Sequence, residues 1–179
     1  MSNLVKRENS AVAAAAGEDH RQYLTFILRG ETFAIAILHI KEIMEYGQLT
    51  TVPMMPEFIG GVINLRGSVV PVVDLSARFG GKKTEITKRT CIVIIEVAVA
   101  EQESQVIGVI VDAVNEVLEI PSSEIEPPPT FGTKIQADFI QGMGKIDGRF
   151  VIILDVSKVL STEDLGLLGQ AGKMVEAAA

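Results

Sequence analysis

Phe58-Ile59-Gly60-Gly61 returns in the same chain as Phe139-Ile140-Gln141-Gly142, after which Gly67, Asp74 and Ser76 fall opposite Gly148, Asp155 and Ser157 without a gap. Upstream, Glu42-Ile43-Met44-Glu45 matches Glu116-Val117-Leu118-Glu119, each following an apolar run, Phe33–Ile37 in one half and Ile107–Val111 in the other. A period of about 74 to 81 residues is too long for a solenoid unit and reads as duplication of a small domain.

Each copy reads as short strands with tight turns. Tyr23–Leu28 and Thr32–Ile37 flank Arg29-Gly30-Glu31 as a first hairpin, and Ile37–Glu45 reads as a helical turn leading into a short strand. Two prolines make Val52–Pro56 a connector. Phe58–Asn64 and Val69–Leu75 form a second hairpin around Arg66-Gly67, followed by a short helix, Leu75–Phe79. Gly80-Gly81-Lys82-Lys83 is the best internal boundary. Beyond it, Thr90–Val97 and Val106–Val111 are strand-like, Pro127-Pro128-Pro129 is a stiff connector, and Asp138–Ile146 pairs with Phe150–Val156 around Asp147-Gly148. Past Ser161, Thr162-Glu163-Asp164 has the composition of a helix start. Five short strands per copy favour closure into a small barrel, which removes the unpaired edges of an open sheet.

The expected organisation is therefore all-β: a mobile tail over 1–20, a first barrel over about 21–88, a second over about 89–168 and a C-terminal tail over 169–179. With 179 residues and 47% hydrophobic content, the chain has enough material for a core without staples. The single Cys91 excludes an internal disulfide, no Cys/His cluster has zinc spacing, and a reducing compartment fits. Sixteen basic against twenty-three acidic residues give a net charge of −7, which opposes a nucleic-acid backbone. No apolar run approaches the roughly 20 residues of a spanning helix, so a cytoplasmic protein without membrane insertion is expected.

The repeat separates turn chemistry from function. The first copy places Arg66 before its turn glycine and the second places Asp147, so the turn requires the glycine and tolerates either charge before it. A solvated turn arginine is the ordinary reading of Arg66.

At Asn64-Leu65-Arg66-Gly67 and Val70-Pro71-Val72-Val73-Asp74-Leu75 the sequence resembles the CheW family of chemotaxis coupling proteins. Glu31-Thr32-Phe33-Ala34-Ile35, Ile40-Lys41-Glu42-Ile43, Phe58-Ile59-Gly60-Gly61-Val62 and Gly108-Val109-Ile110-Val111-Asp112 follow in the family's order, over roughly Gln22 to Leu168. The resemblance implies two SH3-like five-stranded barrels with a groove between them. It also implies a non-catalytic adaptor, without cofactor, between the cytoplasmic tip of methyl-accepting chemoreceptors and the regulatory domain of the histidine kinase CheA, recruited to membrane-associated arrays.

Residue by residue, it places Ile40, Glu42 and Arg66 at the receptor-binding surface, with Ile92 as an apolar contact from the second half. Ile43, Gly60, Gly61 and Phe131 fall at the kinase contacts. Each has a structural alternative: Ile40 and Phe131 as core, Glu42 as a solvated strand carboxylate like Glu116, the glycines as bulge positions. His20, His39 and Cys91 form no nucleophile motif, and Gly60-Gly61 and Gly142-Met143-Gly144 lack a phosphate-binding lysine. A scaffold in another signalling array, and a barrel enzyme or nucleic-acid binder, are the competing readings.

Overall fold

The computed structural model describes residues 20–47, 49–100, 103–127 and 139–159. Its strands are β1 (His20–Leu28), β2 (Glu31–Ala36), β3 (Ile40–Glu45), β4 (Ile59–Leu65), β5 (Ser68–Asp74), β6 (Cys91–Ala100), β7 (Glu103–Val111), β8 (Ala113–Pro121), β9 (Ile125–Glu126), β10 (Ile140–Ile146) and β11 (Arg149–Leu154). Three hairpins turn on two residues, Arg29-Gly30, Arg66-Gly67 and Asp147-Gly148, and all six of these residues have φ between 50° and 87°. That doubly left-handed geometry matches the twist of the flanking strands and explains why glycine recurs at the second position. A 3-10 turn, Ile37–His39, separates β2 from β3 as expected.

The strands form a six-stranded sheet, β8-β1-β2-β11-β10-β9, and a five-stranded sheet, β3-β6-β7-β5-β4. Both close by the same device. In the first, the chain runs from edge strand β8 through a 3-10 turn, Ser122–Glu124, into β9, where Glu126 pairs with Met143 on the opposite edge. In the second, the chain leaving edge strand β3 pairs Thr50 with Val62 on β4, through backbone bonds of 2.9 and 2.8 Å. Val62 and Met143 are repeat counterparts, so the duplication read from the sequence is a duplication of closed barrels.

The expected division at residue 88 does not hold. Each barrel takes its first hairpin from the opposite half of the chain: β6 and β7 join β3, β4 and β5, whereas β1 and β2 join β8, β10 and β11. The cause lies in the junctions. Three residues in a 3-10 turn join β2 to β3, and Asp112 alone joins β7 to β8, so the chain passes directly from one barrel into the other.

The hairpin exchange produces an unusual core. Tyr23, Ala34, Ile120 and Ile153 fill one barrel; Ile63, Val72, Ile92, Ile94 and Ile110 fill the other. A third and larger cluster lies between them, drawing Leu24, Phe26, Leu28, Phe33 and Ile35 from β1 and β2 and Val93, Ile95, Ile107 and Val109 from β6 and β7. These four strands bury both faces, which is why Cys91–Ile95 reads as a continuous apolar run rather than an alternation. Phe26, Phe33, Phe79 and Phe139 form a row with ring centroids 5.9, 6.0 and 5.7 Å apart, the first two pairs stacked and the third tilted.

Against this seam packs Arg78, half-buried at the end of the short helix Leu75–Arg78. Its guanidinium lies 5.2 Å from the Phe58 ring and 5.0 Å from the ring of Phe139, the repeat counterpart of Phe58. Its Nε donates to the carbonyl of Val159 at 2.9 Å, on the matching helix Val156–Val159. Arg78 thereby touches equivalent residues of both copies.

Fragments cut at the sequence boundary should therefore fail singly. Residues 21–88 and 89–168, expressed apart, are expected to lack a cooperative thermal transition and to regain one on mixing, measured by circular dichroism. Independent folding of either fragment would contradict the exchanged hairpins.

Candidate partner-binding surface

The candidate surface is built on β3 and the β4–β5 turn. Asn64 Oδ1 accepts from the Gly67 amide at 2.9 Å and holds the turn, leaving the Arg66 side chain to project into solvent. Its Nη2 lies 3.1 Å from Glu42 Oε2, with side-chain exposures of 79% for Arg66 and 28% for Glu42. An ion pair so exposed contributes about 0–1 kcal/mol. Stability does not explain it.

Alternation along β3 sends neighbouring side chains to opposite sides. Lys41, Ile43 and Glu45 face outward, Ile43 being 44% exposed, whereas Ile40, Glu42 and Met44 are half-buried. Ile40 packs against the seam between the barrels, and so does its repeat counterpart Val114, so the core reading accounts for most of its surface. Ile43 differs. Its counterpart Val117 is also exposed, at 45%, and neither barrel needs an aliphatic side chain there for packing.

Ile92 is corrected. It has no exposed surface, stands opposite Ile110 and fills the barrel interior, as Tyr23 opposite Ala36 does in the other barrel. The apolar run that suggested a contact belongs to a strand covered on both sides.

The two glycines also part company. Gly61 has φ +145°, and a Cβ there would meet the Thr50 carbonyl oxygen at 2.5 Å. At its counterpart Gly142 a Cβ would meet Glu126 O at 2.9 Å, so in both copies the backbone that approaches closely is the chain's own barrel-closing segment. Gly60 corresponds to Gln141, an exposed residue, and a Cβ at Gly60 would touch only side-chain ends, Ile110 Cδ1 at 3.2 Å and Leu49 Cδ1 at 3.3 Å, before Val72 O at 3.6 Å. Barrel closure thus demands Gly61, whereas the space beside Gly60 is filled by side-chain ends that can yield. Phe131 lies outside the described residues, as does the helix start expected beyond Ser161.

Two features of this face escaped sequence reasoning. Leu38, 71% exposed, projects from the 3-10 turn just before Ile40, where neither strand nor helix periodicity predicts its direction. Beside β3, Lys41 Nζ lies 3.4 Å from Glu96 Oε2 and the Ser104 hydroxyl donates to Glu96 Oε1 at 2.5 Å. The Ser104 hydrogen bond, then the Lys41 charge, holds the Glu96 carboxyl below its ordinary range. That cluster joins three strands and has no signature in a single segment. Among the described residues no group of three or more His, Cys, Asp or Glu is disposed to hold a metal ion.

Two barrels fused through one apolar seam, carrying a charged pair and exposed aliphatic residues on strand faces, define a contact module. Residues 22–164 match the CheW-like domain family. The chain is 32% identical to "Chemotaxis protein CheW" of Klebsiella aerogenes, over 92% of this chain and 96% of that protein, and 36% identical to "Chemotaxis protein CheW" of Bacillus subtilis, over 78% and 86%. "Protein FrzA" of Myxococcus xanthus is 30% identical over 83% and 91%. The crystal structure of scaffolding protein TtCheW from Thermoanaerobacter tengcongensis aligns with a TM-score of 0.71 at 37% identity, covering 79% of this chain and 88% of that one. The protein belongs to the CheW family and is a chemotaxis coupling adaptor.

The two glycines should differ in the substitutions they tolerate. Gly61→Ala should cost about 2–4 kcal/mol through strain and backbone overlap, whereas Gly60→Ala should cost less than about 1.5 kcal/mol because aliphatic side-chain ends can yield. Chemical denaturation measures both. Equal losses would contradict the separation.

Proposed function

We propose that this protein couples the cytoplasmic tip of methyl-accepting chemoreceptors to the regulatory domain of the histidine kinase CheA, as a non-catalytic adaptor working in the cytoplasm at membrane-associated arrays. The observation that carries this reading is Arg66. It occupies a left-handed turn position where arginine has no conformational advantage and the second copy uses aspartate, yet its guanidinium is held in an exposed pair with Glu42. A residue unnecessary to the fold and fixed at the surface is suited to contact.

Glu42 and Arg66 form the receptor-facing charge pair, with Ile40 beneath them. Ile43, on the other side of β3, serves the kinase together with the β4 backbone at Gly60. Phe131 is kept as a second kinase contact on the family resemblance. Signal passes as a difference in contact free energy between receptor states, which requires no turnover, nucleotide or cofactor.

Arg66→Asp should leave the melting transition within about 1 kcal/mol of the unaltered protein, because aspartate suits the turn, while abolishing binding of a receptor-tip fragment in calorimetry. Unchanged receptor affinity in the folded variant would remove Arg66 from the site.

A further inference from the structure

On an acidic chain, five of the sixteen basic residues line one open cleft of about 820 Å³. Arg29 comes from the β1–β2 turn, and Lys82, Lys83, Lys88 and Arg89 from the irregular segment between the helix Leu75–Arg78 and β6. Two acids face them. Asp112 is engaged through Oδ2 by the Arg29 amide at 2.8 Å, and Glu85 lies on the same loop. None of the five cations makes an ion pair among the described residues.

The wall that carries them is held in place. Buried Asp74 accepts from the Thr84 amide and hydroxyl, each at 2.8 Å; Ser76 Oγ donates to Lys82 O at 2.6 Å; and buried Thr90 Oγ accepts from the Thr87 amide at 2.8 Å. The Arg29 guanidinium lies over Gly81, in space that a Cβ would fill. Asp155, the counterpart of Asp74, holds its own Ser157. At the positions 81 residues further on, Glu163–Gln170, the second copy carries no cation, so the basic character of this segment belongs to one half.

We propose that this cleft binds an acidic peptide segment of a partner protein, at a site separate from the Glu42–Arg66 surface. Five unpaired cations on an anchored wall offer favourable charge contacts with little ordering cost. The cleft far exceeds the size of one phosphate group. Among the described residues no aromatic lines it for base stacking, and the acidic remainder of the chain repels a long polyanion, which disfavours nucleic acid. A short acidic segment satisfies both constraints.

The test titrates the full chain into a short fluorescein-labelled peptide rich in Asp and Glu, read by anisotropy, with oligothymidylate of equal charge and inorganic phosphate as competitors. The peptide should bind, weaken as salt rises, shift amides of residues 82–89 and Arg29, and lose about tenfold or more in affinity to the Lys83→Glu, Lys88→Glu double variant. Should that variant lose its cooperative melt, Lys88→Gln replaces it, with a smaller loss expected. No binding, affinity unchanged by the substitutions, amide shifts elsewhere, or tighter binding of oligothymidylate or phosphate than of peptide would each overturn the proposal.

Discussion

The apolar seam between the two barrels is the constraint on which the rest of the molecule depends. Because β1, β2, β6 and β7 cross into the opposite barrel, each contributes one face to a barrel interior and the other to the seam, and neither barrel is complete without the other half of the chain. The row of four phenylalanines lies in this seam, and Arg78 bridges the copies at Phe58 and Phe139. Stacking and cation–π contacts of this kind each add roughly 0.5–2 kcal/mol to the area they bury. Sliding one barrel against the other would break them together.

Such a body suits a coupling adaptor. A connector between two partners loses signal if its own parts yield, because the free-energy difference generated at one interface is then dissipated in internal rearrangement. Here the strand that carries Glu42 also carries Ile43, one residue away on the opposite side, and β3 is paired along its length to β6, which is buried in the seam. The two proposed interfaces are thus separated by a single strand and tied to the same core.

Much of this was legible in the sequence, and what was not has a physical reason. The duplication, the three two-residue turns and the barrel class followed from repeated glycines and short apolar runs, because those positions demand left-handed backbone or close approach. The hairpin exchange was hidden: β1 and β6 occupy the same repeat position, so local pattern gives β3 no preference between them, and the short junctions decide. Ile92 was misread because a strand buried on both faces has no polar side to mark its direction. Arg66 stands out as a candidate contact through the repeat, since Asp147 in the same turn removes the structural explanation. Gly60 and Gly61 look alike in sequence, and the Thr50 carbonyl distinguishes them.

The proposed coupling requires that one body hold a receptor and a kinase at the same time through different faces. Its most direct test is an NMR titration of the isotopically labelled protein with a receptor-tip fragment, repeated in the presence of saturating CheA regulatory domain. Two separable amide footprints, one around Glu42 and Arg66 and one around Ile43 and Gly60, should coexist in the ternary mixture. Displacement of the receptor fragment by the kinase domain, or the absence of either footprint, would contradict it.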